Sequence, residues 1–144
     1  MAAIITVYGS AQPAGSKRAF TVNGRAQITD ANPRSREWKD RVAQAAGEQY
    51  GGELIEGPLS VDMIFYSPRP KGHYGTGRNA ARLKDSAPEY PIGRPDVLKL
   101  ARAVEDALTG VVYRDDALIV DEVLHKRYGE PACCAIKVYR MGPA

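Results

Sequence analysis

The sequence predicts one α+β domain over residues 1–144, built on a mixed β-sheet with helices mainly on one face. Three observations predict it. Four stretches carry strand signatures, two carry a helical period, and their order is strand, helix, strand, loop, helix, strand, strand. At 144 residues and 44% hydrophobic content the chain can bury one core without disulfides, and it is too short for further domains.

Each element has a local reason. Ile4 to Tyr8 is rich in β-branched residues and stops at Gly9. A second extended piece follows at Arg18 to Val22 and turns at Asn23-Gly24, the strongest short hairpin signal. From Asn32-Pro33 the period changes: Trp38, Val42, Ala45, Ala46 and Gln49 share a helical face, Asn32 can cap, Pro33 suits the first turn, and Gly51-Gly52 ends the helix. Leu59 to Tyr66 alternates, with Leu59, Val61, Met63 and Phe65 on one side and Ser60 and Asp62 on the other. Pro68 to Pro95 carries five Pro and four Gly with no hydrophobic period, and reads as a long basic and aromatic loop. Helix resumes after Pro95, where Val97, Leu100, Ala101, Val104 and Leu108 form a core stripe closed by Gly110. Strands over Ala117 to Arg127 and Ala132 to Arg140, joined by a turn at Gly129-Glu-Pro131, complete the sheet.

Composition excludes several functions. The only two cysteines, Cys133 and Cys134, are adjacent, which leaves neither a disulfide framework nor a Cys-based zinc site and points to a reducing, intracellular setting. His73 and His125 stand far apart, so a His-based zinc site and a His-paired nucleophile both lack support. No apolar run approaches the roughly 20 residues of a membrane span, and Met1-Ala-Ala-Ile-Ile-Thr-Val7 lacks the flank of a signal peptide. A cytoplasmic protein with no membrane partner is expected. Gly9 to Lys17 imitates a phosphate-binding loop but has the wrong glycine spacing, places Ser16 before Lys17, and leads into a strand rather than a helix N-terminus. No nucleotide cofactor is expected.

Charge distribution says more than the net +3. Residues 17–41 hold seven Lys/Arg against three Asp/Glu and residues 69–94 six against two, so the rest of the chain nets −5. Eight acids fall between Asp96 and Glu130. Two basic stretches beside one acidic stretch suit a polyanion held next to a cation site, although ordinary surface charge gives the same counts. Gly15-Ser-Lys-Arg18 can grip a phosphate backbone through close main-chain amides and two cationic side chains. Asp96 at a helix start and Asp115-Asp116 before a strand can converge on a hard cation, or serve only as a helix cap and a turn.

Arg94-Pro-Asp-Val-Leu-Lys-Leu-Ala-Arg-Ala-Val-Glu-Asp-Ala-Leu-Thr-Gly110, followed by Tyr113-Arg-Asp-Asp-Ala117, resembles the RusA family of Holliday junction resolvases, especially its phage and prophage members. Tyr8-Gly-Ser-Ala-Gln-Pro-Ala-Gly-Ser-Lys-Arg18 and Pro68-Arg-Pro-Lys-Gly-His-Tyr-Gly-Thr-Gly-Arg78 extend the resemblance over most of the chain. It implies a homodimeric endonuclease, dependent on Mg²⁺ or Mn²⁺, that nicks branched DNA symmetrically at four-way junctions in recombination and repair. By the same resemblance Asp96, Arg102 and Asp116 carry catalysis, Asp96, Asp115 and Asp116 hold the cation, and Lys17, Arg18, Arg69, Lys71, His73 and Arg78 contact DNA. One position departs from the pattern. The family helix opens Asp-x-Asp, and here Leu98 replaces the second carboxylate. At about 100° per residue Leu98 projects beside Arg102 and Glu105, at the margin of the core stripe. Three readings follow: a weakened cation site, a substitute drawn from Asp115, Glu105 or Asp62, or a junction-binding protein that no longer cleaves.

Overall fold

A computed structural model of the chain describes residues 1–15, 17–30 and 32–142, with the backbone alone at residues 17–19 and 28–30. Its elements are β1 (Ala2–Tyr8), β2 (Lys17–Val22), β3 (Arg25–Asp30), α1 (Pro33–Gln49), β4 (Leu59–Ser67), α2 (Val97–Leu108), β5 (Ile119–Tyr128) and β6 (Cys133–Arg140). The main sheet has the order β1-β6-β4-β5, antiparallel except for the parallel pair β4–β5, so it is mixed as expected. A parallel pair needs a long crossover, and residues 68–118, including α2, supply it.

Alternation along the strands puts Ala3, Ile5 and Val7, Val61, Met63 and Phe65, and Cys134, Ile136 and Val138 on one face, all buried. Trp38, Val42 and Ala46 of α1 and Leu100, Ala101, Val104 and Leu108 of α2 join them in a single core. Shortening Leu108 to Ala would cost about 2–5 kcal/mol at such a site. Among the described residues no helix covers the opposite sheet face, where Ile4 and Val123 are exposed.

Local chemistry explains the helix ends. The Asn32 side chain accepts from the Arg34 amide at 3.0 Å and Pro33 occupies the first turn, while the Asp96 side chain accepts from the Lys99 amide at 3.2 Å. Asn23 and Gly24 both take positive φ, 51° and 76°, and join β2 to β3 as a separate two-stranded hairpin.

Three expectations change. The turn at 129–131 does not make β5 and β6 neighbours, because the chain steps across the end of β4 and β6 pairs between β4 and β1. Gln49 is exposed and lies outside the core; its amide instead accepts from Thr6 N and donates to Thr6 O, both at 2.7 Å, satisfying the free edge of β1. Leu98 is 68% exposed, so it leaves the core margin for solvent.

Candidate active site

The loop and α2 are tied to the last turn of β5. Lys126 Nζ donates to Gly93 O at 2.7 Å and to Pro95 O at 3.0 Å. The Arg127 guanidinium lies 5.0 Å over the Tyr90 ring, and that of Arg69 lies 4.3 Å over the Tyr128 ring. Arg69 also donates to Pro88 O at 2.7 Å, and His73 packs edge-on to Tyr128. Two 3₁₀ turns, Lys71–His73 and Gly77–Asn79, and a bridge from Tyr74 to Leu83 give the rest of the loop its form. At the other side of α2, the Ala14 amide donates to Lys99 O at 2.9 Å and draws the segment after β1 against the helix.

Between these attachments opens a cleft of about 910 Å³. Ala14, Gly15, Asp96, Leu98, Lys99, Arg102, Glu105, Asp106, Asp116 and Glu122 line it. Leu98, Arg102 and Glu105 follow one another at helical spacing along the flank of α2 beside its buried stripe. Asp116 reaches the cleft from a 3₁₀ turn over Asp116–Leu118, which Asp115 caps by accepting from the Ala117 amide at 2.9 Å. Glu122 rises from β5, where it pairs with Val61 and therefore stands on the helix-covered face. Three expected site residues, Asp96, Arg102 and Asp116, thus share one cleft within a strand–loop–helix frame whose sequence pattern is that of a nuclease family. Residues 10–139 match the family described as Endodeoxyribonuclease RusA.

The chain belongs to the RusA endodeoxyribonuclease family.

It is also 33% identical over 128 residues, 87% of each chain, to YqaN of Bacillus subtilis (strain 168), a protein described as uncharacterized.

The electrostatics of this RusA-family cleft are uneven. Partial desolvation, followed by a hydrogen bond and the negative charge of Asp115 and then the charge of Asp106, holds the Asp116 carboxyl above the usual range, while the Arg102 charge opposes the shift. Asp115 moves the other way, held down first by the Ala117 amide and then by its bond with Asp116. Desolvation alone raises Glu122. Behind Asp116 lies the buried Tyr113, whose hydroxyl donates to Glu105 O at 2.9 Å and whose ionisation is suppressed by burial and by the nearby Asp116 charge. The bond ties the segment that leads to the Asp116 turn to the last turns of α2.

The remaining expected residues separate into groups. Asp115 caps the Asp116 turn and lies outside the cleft lining. Asp62 pairs across the sheet with Val123 and Lys137 on the uncovered face, which removes it as a substitute carboxylate. Arg69 and His73 brace the loop on Tyr128, whereas Lys71 and Arg78 are exposed on its 3₁₀ turns. The side chains of Lys17 and Arg18 lie outside the described residues; their backbone starts β2 just beyond Gly15 at the cleft edge.

Sequence reading missed Glu122. The sole available signal was its parity on β5, which becomes readable only once the register with β4 is known.

Proposed function

We propose that the chain is a homodimeric, Mg²⁺- or Mn²⁺-dependent endonuclease that resolves four-way DNA junctions by symmetric nicking. The observation that supports this best is the meeting of Asp96, Arg102 and Asp116 in one cleft of a RusA-family chain. The donor chemistry fits a hard cation, because the carboxylates offered by the cleft are all oxygen ligands. Among the described residues no three His, Cys, Asp or Glu side chains already stand close enough together to form a metal-binding group. Mg²⁺ needs no such cluster, since it keeps several waters and takes one or two carboxylates together with substrate phosphate.

Asp96 and Asp116 would hold the cation, with Glu122 as a third cleft carboxylate. When bound, it supplies positive charge against the scissile phosphate and makes an attacking water more acidic. Arg102, whose charge already reaches Asp116, stabilises the negative charge that develops on the phosphate. Lys17, Arg18, Lys71 and Arg78 track the backbone of the arms. A two-fold dimer presents two such clefts to a branch point that is itself nearly two-fold, which is what paired nicking requires.

A second reading, a junction-binding protein without cleavage, is favoured by one observation: Leu98 presents an exposed aliphatic side chain to the cleft where the family pattern has a carboxylate. Incubating a labelled four-way junction with the protein and Mg²⁺, Mn²⁺ or chelator separates the two. Paired nicks that need the cation support the nuclease; a shifted but intact junction under every condition supports the binder.

A further inference from the structure

Lys126 stands half-buried on the helix-covered face of β5, paired with Phe65, in a small cavity that it shares with Gly93, Pro95 and Leu100. Its ammonium lies at the N-terminal end of α2, the positive end of the helix dipole, where a cation is disfavoured. Helix electrostatics therefore do not account for it. What does account for it is the capture of two main-chain carbonyls, Gly93 O at 2.7 Å and Pro95 O at 3.0 Å, which flank the last residues before the helix. The Pro95 carbonyl belongs to the peptide bond that leads into Asp96, so the contact acts one bond away from the residue that both caps α2 and faces the cleft.

From this we infer that Lys126 is a positioning residue. It fixes the last step of the loop against β5 and thereby sets where the Asp96 carboxylate points, without touching substrate itself. β5 leads from the Asp116 turn through Glu122 to Lys126, so one strand would keep both ends of the cleft in register. This role rests on the nuclease reading for its catalytic consequence, but its structural core does not depend on cleavage.

Two variants test it. Lys126→Met keeps length and apolar bulk and removes the donors, whereas Lys126→Arg keeps donors. In Lys126→Met, hydrogen exchange of the Lys99 and Leu100 amides, which are bonded to the Asp96 side chain and carbonyl, should accelerate about tenfold or more while amides shared by β1 and β6 keep their wild-type rates. Mn²⁺ affinity, by calorimetry, should fall roughly tenfold, as for loss of a group that orients a ligand. The rate of bound-junction cleavage should fall up to about a hundredfold with junction affinity nearly unchanged, since an ångström of misplacement is enough for that loss. Lys126→Arg should recover most of each. Unchanged exchange at Lys99 and Leu100 overturns the inference whatever the activity does, as does an equal loss of binding and cleavage that Lys126→Arg fails to rescue. A wild-type protein that never cleaves sinks the nuclease reading alone; exchange and Mn²⁺ affinity then still decide the role of Lys126.

Discussion

Leu98 is the residue at which the family pattern and this chain disagree, and its surroundings make the disagreement testable. With 68% of its surface exposed, it contributes little to the core, so Leu98→Asp should leave stability within about 0.5 kcal/mol of the wild type. The new carboxylate would enter the cleft beside Arg102, where Glu122 also lies, and cation-dependent cleavage should rise. Melting curves and cleavage rates of the two proteins check this; a folded variant that cleaves no faster means that Glu122 already completes the set or that position 98 never meets the cation. Asp116 makes a prediction of opposite sense. Its carboxyl is held above the usual range, so the folded chain binds that proton more tightly than the unfolded one. The stability this confers is present at low pH and is lost as pH rises from the unfolded value through the folded one. At neutral pH the ionised group opposes folding, and Asp116→Asn, whose amide can still donate to Asp115, should raise Tm slightly while cation affinity falls. A lower Tm would show that the carboxylate supports the fold rather than costing it stability.

At the scale of the elements, α2 carries two roles on one residue. Asp96 caps the helix and lines the cleft, so its removal confuses stability with chemistry unless the roles are separated. Asn caps as well as Asp, which makes the separation direct. Asp96→Ala should cost about 1 kcal/mol and abolish cleavage; Asp96→Asn should melt close to the wild type and still abolish cleavage. If the Asn variant cleaves normally, Asp96 is only a cap. The caps themselves were legible in the sequence because they act within three residues: Asn32 with Pro33 and Asp96 after Pro95 announce their helices unaided. Glu122 was not legible, because its face depends on distant events. A 3₁₀ turn delays the start of β5, and its pairing with β4 shifts between Leu59 and Ser60, so the parity of Val-Asp-Glu-Val cannot be counted from the chain alone. Leu98 was misplaced for a related reason. Helical angle set it beside the core stripe, but the layer that would bury it is absent over that side of α2, where the cleft opens. Ala103 shows the converse: it was left out of the stripe and is fully buried, on the flank where Asp106 ion-pairs with Lys39 of α1 at 3.4 Å.

On the scale of the whole molecule, an acidic cleft and an exposed basic loop belong to one fold. Lys71 and Arg78 are exposed on a loop whose base is clamped to β5, so they can meet a polyanion without the loop having to order first. Junction affinity should therefore fall steeply with salt. Lys71→Ala or Arg78→Ala takes away one cation that neutralises a phosphate, and each substitution should flatten the log–log slope by about 0.9. Slopes identical to the wild type would move the interface elsewhere. Arg69→Ala should behave differently: it frees the loop from Tyr128 and Pro88 and leaves the phosphate-neutralising cations in place, so the slope should stay near the wild-type value.

The central claim is that the cleft between α2 and β5 is a cation-dependent nuclease site, and single-turnover cleavage of a saturated four-way junction by the wild type and Asp116→Asn tests it most directly. The wild type should nick two opposed strands with Mg²⁺ or Mn²⁺ and neither with chelator, while Asp116→Asn binds the junction at least as tightly and leaves it uncut. Equal cleavage rates for the two proteins, or cleavage that persists in chelator, would contradict it.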